Sequence, residues 1–214
     1  MASKKLLLIG AGGHCRSVLD CIISGQEYDE IGIVEREICG GSVLGIPVIG
    51  TDADLPQLFA QGWTQAVITV GSVGDSSIRR KLYSSLKKVG FKFPSVIDPS
   101  AMIGRETMIG EGVFIGKRVV VNTGTQLATC AIINTGAILE HDCRIGEFSH
   151  IAPGTTLCGE VSVGEDSHIG AGSVVRQQLQ IGRNSLIGAG SVVVKNIPDR
   201  KIAFGNPCRE VSER

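Results

Sequence analysis

Beginning at Ile97, every sixth residue through Val193 is aliphatic, seventeen positions in an unbroken frame. An amphipathic helix repeats its apolar stripe about every 3.6 residues and a half-buried strand every two, so neither accounts for a period of six. The period is that of a parallel β-helix of hexapeptide units, in which each hexad supplies a short strand and a turn and three hexads close a triangular coil. Two residues before the aliphatic the side chain is small, as at Ala101, Thr125, Ala131, Ser149, Thr155, Ser167 and Ser191. The residue after it is glycine at 104, 110, 116, 146, 164, 170, 182 and 188. The aliphatic therefore points into the prism, the small residue fits beside the corner, and glycine relieves backbone crowding at the turn. Sixteen intervals make a little over five coils, stacked at the roughly 4.8 Å spacing of hydrogen-bonded strands. Each coil needs its neighbours, because alone it cannot bury its faces.

The first 94 residues keep a different rhythm. Lys5–Ile9 is an expected strand, followed by Gly10-Ala-Gly-Gly-His14 and then Val18, Leu19, Ile22 and Ile23 at helical spacing. Further strands are expected at Ile31–Val34 and Ala66–Val70. Further helices are expected at Asp54–Gln61 and Ser76–Val89, the latter with Ile78, Leu82, Leu86 and Val89 on one face and Gly90 as its stop. Alternating strands and helices make a small parallel α/β unit. The expected organisation is an α/β domain over residues 1–94 and an all-β helix with a C-terminal tail over residues 95–214.

Lysine plus arginine and aspartate plus glutamate each total 21, so no global field draws the chain to nucleic acid or anionic lipid. No apolar run approaches the roughly 18 residues of a membrane span. The run after Lys5 is too short for a signal sequence and leads into glycines where a cleavage site would stand. The seven cysteines (Cys15, Cys21, Cys39, Cys130, Cys143, Cys158 and Cys208) are odd in number and form no CxxC pair. That argues against a disulfide framework or a zinc site and for buried thiols in the cytoplasm.

The hexad frame locates three of the four histidines. His141 stands two residues past Leu139, at a turn outside the core, flanked as Glu140-His141-Asp142. An acid beside an imidazole orients it and raises its basicity, which makes His141 a candidate general base. His150 and His168 each precede an inward aliphatic and lie one coil apart, so they are expected to stack on an outer face in contact with solvent, and His168 is given no role. In the α/β half, Gly10-Ala-Gly12-Gly13-His14 between strand and helix offers backbone N–H groups to a phosphate. Glu35, ending the second strand, is placed to meet a ribose hydroxyl. The dinucleotide fingerprint has glycine where Cys15 stands, and the unit is half the size of a dinucleotide fold. A mononucleotide or sugar nucleotide therefore fits better than NAD, with a dehydrogenase and an unliganded tight turn as competing readings.

Three segments carry a resemblance: Ile9-Gly-Ala-Gly-Gly-His14, Ile132-Ile-Asn-Thr-Gly-Ala-Ile-Leu-Glu-His-Asp142, and Gly205-Asn-Pro207. They resemble the sialic-acid O-acetyltransferase and sugar-nucleotide N-acetyltransferase family, which includes acetyltransferases of bacillosamine and perosamine nucleotide precursors. The resemblance covers the whole chain. It implies a left-handed β-helix, against the usual right-handed crossover, with acetyl-CoA as co-substrate, a nucleotide-activated amino sugar as acceptor, no metal, and a homotrimer. It implies His141 as the general base and Asp142 as the residue that tunes it. His150 would meet the acetyl thioester, with Ala171 and Ala189 along the coenzyme A groove. Gly12, Gly13, His14, Glu35 and Gly71 would form the sugar-nucleotide site, with Asn134 near the acceptor. Where relatives often end the second strand Asp-Asp, this chain reads Glu35-Arg36, which leaves the nucleotide base open.

Leu139 and Ile151 anchor the hexads of His141 and His150 and lie twelve residues, or two prism faces, apart. A filled core then separates the two histidines within one subunit, and only packing around a symmetry axis unites them. The expected reaction is direct transfer in a ternary complex. Neutral His141, with an ordinary pKa of about 6.5, takes the acceptor's proton, and His150 or a coil backbone N–H donates to the oxyanion. O-acetylation of sialic acid or a related sugar stays open as an alternative, as does a sugar-nucleotide-binding protein without catalysis. The setting is the cytoplasm, in surface-glycan synthesis.

Overall fold

The structure, a computed structural model, describes residues 3–36 and 41–214. Five strands, β1 (Lys5–Ile9), β2 (Glu30–Val34), β3 (Ser42–Val43), β4 (Ile46–Gly50) and β5 (Gln65–Ile68), form one sheet in the order β3-β4-β2-β1-β5. Neighbours run parallel except in the hairpin β3–β4. The central strand β1 is buried at Leu6, Leu7, Leu8 and Ile9, the continuous apolar run of a parallel strand covered on both sides. Helix α1 (Gly13–Gly25) covers one side with Val18, Leu19 and Ile22, and α2 (Leu55–Ala60) and α3 (Ser77–Val89) cover the other.

Three details depart from expectation. The short hairpin β3–β4 had no period long enough to read, and β5 ends at Ile68 rather than Val70. In α3, Leu82, Leu86 and Val89 pack on the sheet, but Ile78 is 57% exposed and Arg79 is buried in its place. The first turn of α3 leaves the sheet and lies against the β-helix, where the inward position is one residue later. Arg79 donates there to the carbonyls of Cys130 and Phe148, and Arg80 reaches Asp166 at 2.7 Å and Glu165 at 3.0 Å.

Seventeen two-residue strands follow at six-residue steps, from Val96–Ile97 to Val192–Val193, and form a left-handed parallel β-helix. Residues eighteen apart pair in register, as Ile133 with Ile151 and Ile151 with Ile169. An antiparallel hairpin, Lys201–Gly205 with Cys208–Glu213, closes the stack. The small residues do more than fit. Ser149 donates to the Gly164 carbonyl at 2.7 Å, Thr155 to Gly170 at 3.1 Å and Ser167 to Gly182 at 2.7 Å. A buried hydroxyl without a partner costs about 1–3 kcal/mol, so this coil-to-coil ladder is what admits serine and threonine to a dry interior. The glycines meet a different constraint. A Cβ on Gly146 would lie 2.5 Å from the Glu165 nitrogen, and one on Gly170 2.5 Å from the Ala189 nitrogen. The next coil's backbone excludes the side chain.

The three prism faces differ in what lies outside them. On the docking face, Phe114, Ile132, His150 and His168 are buried because the α/β part sits there, and Phe114 and Ile132 share a core with Val18 and Leu19. On the apolar face the outward column is Met102, Val120, Ile138, Thr156, Val174 and Val192, none of them buried, with Met102 67% exposed. The polar face carries Met108, Gln126, Arg144, Ser162 and Gln180. Five of the described cysteines are buried, Cys158 is half-buried, and Cys39 lies outside the described residues. Among the described residues no helix is long and apolar enough to cross a membrane.

Candidate active site

The turn between Ile138–Leu139 and Arg144–Ile145 lies where the apolar face meets the polar face, and it carries Glu140, His141 and Asp142. Asp142 adopts a left-handed φ of 59°, a conformation that aspartate enters more readily than most residues. The His141 side chain is 53% exposed, with Nδ1 2.9 Å from Asp142 Oδ2. A carboxylate only accepts, so Nδ1 carries the hydrogen and Nε2 keeps the lone pair. The hydrogen bond to Asp142, reinforced by the charges of Asp142, Glu160 and Glu140, lifts the imidazole above its ordinary pKa. The pair is thus an oriented imidazole with an uncommitted lone pair on Nε2, in a side chain more than half exposed.

Across the apolar face, at its edge with the docking face, lies a groove of about 470 Å³. It brings together Asn134, His150, Ala171 and Ala189, beside Val73 and His168. His141 is not part of it. His150 Nδ1 stands 2.8 Å from the Ser72 carbonyl, and Nε2 stands 3.1 Å from Asn134 Nδ2. The amide orientation follows from Asn134 Oδ1 accepting the Thr135 N–H at 2.8 Å. Since a carbonyl only accepts, Nδ1 carries the hydrogen and Nε2 accepts from the amide. This corrects the expectation of His150 as an oxyanion donor: both its nitrogens are committed. The donors left are coil backbone N–H groups and the second amide hydrogen of Asn134.

The solvent-exposed reading of His150 and His168 is also corrected. Each is 8% exposed, with rings edge to face and centroids 4.8 Å apart. The hexad frame points both side chains out of the prism, but on this face the outside is the docked α/β part. Burial holds both imidazoles below their ordinary pKa, His168 at about 4. A concavity of about 700 Å³ over the polar face holds none of the expected site residues.

In the α/β part, Gly12 and Gly13 lie exposed at the N-terminus of α1, which has no side-chain cap. Glu35 Oε2 accepts the Ala11 N–H at 2.6 Å and Oε1 the Arg36 N–H at 2.9 Å, so this carboxylate braces the glycine turn. His14 packs edge-on against Phe114, its Nε2 buried without a partner, and burial, with Arg79 and His150 nearby, pulls it down to about 3. Gly71 makes room for it, since a Cβ there would stand 3.3 Å from the His14 Cβ. The loop Gly71–Ser72 therefore touches His14 on one side and His150 on the other, joining the expected sugar-nucleotide residues to the groove. Ser72 had no place among the expected residues, because a backbone carbonyl leaves no mark in a side-chain pattern. Among the described residues no group of histidine, cysteine and carboxylate side chains is arranged to hold a metal.

Three family models match the chain. The PglD N-terminal domain covers residues 5–86, the bacterial transferase hexapeptide (six repeats) covers 160–195, and the hexapeptide repeat of succinyl-transferase covers 106–140 and 136–177. A histidine-to-asparagine variant of perosamine N-acetyltransferase from Caulobacter crescentus, solved with CoA and GDP-perosamine, is 35% identical over 99% of each chain, with a TM-score of 0.93. The acetyltransferase domain of PglB from Neisseria gonorrhoeae FA1090, solved with acetyl coenzyme A, is 37% identical over 98% of this chain and 100% of that one, with a TM-score of 0.91. GDP-perosamine N-acetyltransferase of Escherichia coli O157:H7 is 28% identical over 160 residues, 72% of this chain and 70% of the relative.

Proposed function

Because the chain belongs to the hexapeptide-repeat sugar-nucleotide N-acetyltransferases with a PglD-type N-terminal domain, we propose that it moves acetyl from acetyl-CoA to the amine of a nucleotide-activated amino sugar. The observation that carries this reading is an oriented base, His141 on Asp142, at one edge of the apolar face, with the Asn134–His150 groove at the other. Acetyl-CoA lies in the groove, where Ala171 and Ala189 present little more than backbone. The sugar nucleotide lies at the α1 N-terminus, whose free N–H groups suit a phosphate, with Gly12, Gly13, His14, Glu35 and Gly71 around it. Both substrates are cytoplasmic metabolites, so the reaction belongs there, in the supply of acetamido sugars for surface glycans.

The steps follow from the donors and acceptors. The amine nitrogen attacks the thioester carbonyl carbon, and as the C–N bond forms an N–H proton passes to His141 Nε2. The C–S bond then breaks, and coenzyme A leaves as a thiolate that takes the proton back as a thiol. Base assistance of this kind contributes roughly 10²–10⁴ in rate. The carboxylates of Asp142, Glu160 and Glu140 around His141 attract an amino sugar in its ammonium form, which releases one proton to solvent before its neutral nitrogen attacks, and this draw on an amine over a hydroxyl supports N- over O-acetylation.

A homotrimer completes the site. The uncovered column Met102, Val120, Ile138, Thr156, Val174 and Val192 forms a stripe that is apolar along the prism except at Thr156, as a buried interface is. Its two edges carry the two halves of the chemistry. Packing this face around a three-fold axis sets one subunit's His141 edge against the next subunit's groove edge. The test of function is a screen of nucleotide-linked amino and hydroxy sugars, GDP-perosamine included, with acetyl-CoA and free-thiol release as readout. Turnover is expected with an amino sugar and not with its hydroxy counterpart. Acetyl-CoA at a hundred times its Kd should also add about 2.7 kcal/mol of stability, and stabilisation by NAD instead would contradict the reading.

A further inference from the structure

Of the seventeen hexads, only the one at Leu157 has glycine two residues past its aliphatic, at Gly159. The other hexads carry arginine, glutamate, lysine, threonine, histidine, proline, glutamine or alanine at that step. Gly159 is eighteen residues beyond His141, directly above it on the next coil. A Cβ on Gly159 would stand 2.7 Å from His141 Cε1 and 3.1 Å from Cδ2, and closer still to Nε2. The Nε2 side of the imidazole lies against the bare glycine.

The coil below shows the same feature. Gly124 is eighteen residues before Asp142, and a Cβ there would overlap Asp142 Oδ1 and stand 3.3 Å from Cγ. Gly124 has a left-handed φ of 71°, but backbone conformation alone does not require glycine at this step. Glu106, Arg118, Phe148 and Gln178 take the same left-handed φ at equivalent corners. Nor is crowding general there, since a Cβ on Gly136, Gly154, Gly172 or Gly190 would meet nothing within 4 Å. The coils cannot spread to make room either. The Asp142 N–H donates to the Thr123 carbonyl at 3.0 Å and the Glu160 N–H to the His141 carbonyl at 2.9 Å, which fixes the spacing below and above the pair. A side chain at either glycine must therefore displace His141 or Asp142 rather than the backbone. Both are more than half exposed and free to swing into solvent.

We propose that Gly159 and Gly124 are positioning residues that leave a slot, one coil above and one below, in which the His141 imidazole and the Asp142 carboxylate are held in their hydrogen-bonded geometry. This rests on the reading of His141 as the base. The test is steady-state kinetics with acetyl-CoA and GDP-perosamine, or the amino-sugar nucleotide that the screen identifies. Gly159→Ala should lower kcat roughly 10- to 100-fold, the scale of an ångström-sized misplacement of a catalytic group, with circular dichroism unchanged. Gly124→Ala and Gly124→Asn should each lower kcat and move the acid limb of the pH profile downward, as Asp142→Asn does. Asparagine tolerates the left-handed conformation, so the Asn variant removes backbone strain as the cause. In a His141→Ala background, Gly159→Ala should change kcat less than about twofold, the non-additivity expected of residues acting through one group. Losses that simply multiply in the double variant, or glycine variants with wild-type kcat and pH profile beside an impaired His141→Ala, would overturn the slot alone. A fully active His141→Ala overturns both the base and the slot.

Discussion

The histidines at the two edges of the apolar face are held in opposite ways. His141 stands in solvent, hydrogen-bonded to a carboxylate, and its affinity for a proton is raised. His150 and His168 are buried under the α/β part with His14 nearby, and theirs is lowered. One side chain type thus does two jobs: a neighbouring charge makes a proton acceptor at one edge, and desolvation keeps neutral, hydrogen-bonding rings at the other. His141 sits on a turn two residues past its inward aliphatic, and His150 and His168 on a strand face one residue before theirs, so the rings differ both in hexad position and in what covers them.

The contrast is broken most severely by removing the exposed ring. His141→Ala should lower kcat roughly 10²–10⁴-fold while thermal unfolding barely changes, because the side chain lies outside the core. Measuring kcat and the melting curve on one preparation checks both halves of that statement. Equal losses of activity and stability would mean that His141 has a structural role instead.

A smaller effect sharpens the comparison on the same edge. Asp142 stabilises the protonated imidazole, so the acid limb of kcat/KM should lie above the ordinary histidine value of about 6.5. Asp142→Asn should lower turnover less than loss of the ring and move that limb toward lower pH. A limb that stays in place would separate Asp142 from the titration of His141.

The smallest effect concerns the buried edge. His14 and His168 are neutral in the folded chain down to about pH 3 and 4, but in the unfolded chain they protonate near pH 6.5. Between those values the unfolded state binds more protons, so this stability is fully present above about pH 6.5 and is lost as pH falls toward 4. Melting temperature should therefore decline over that window, and His168→Leu should flatten the decline. An unchanged slope in the variant would show that other groups set the acid sensitivity.

Much of this was legible from residues alone. The frame from Ile97 to Val193 located every strand of the β-helix, and the turn Glu140-His141-Asp142 fell where the frame put it, exposed and hydrogen-bonded. The misreadings share a physical origin. A hexad tells which way a side chain leaves the prism but not what stands outside, so His168 read as solvent-exposed although it is enclosed. The helical period of α3 describes packing on its own sheet, and it failed at Ile78 and Arg79, where the helix turns toward the other half of the molecule. Gly159 was within reach of the sequence, as the lone glycine at its step and eighteen residues past a candidate base. The Ser72 carbonyl was not, since its role depends on a loop meeting a coil about eighty residues away along the chain.

The central claim is that the two edges act together only between subunits, and mixing chains tests it most directly. His141→Ala and His150→Ala chains, each impaired alone, are unfolded together and refolded, and mixed trimers are verified. If each site takes His141 from one subunit and the groove from its neighbour, random mixing leaves about a quarter of the clefts with both native histidines. Activity should then recover to roughly that fraction of wild type. Verified mixed trimers with no more activity than their parents would place both histidines in one subunit's site and contradict the account.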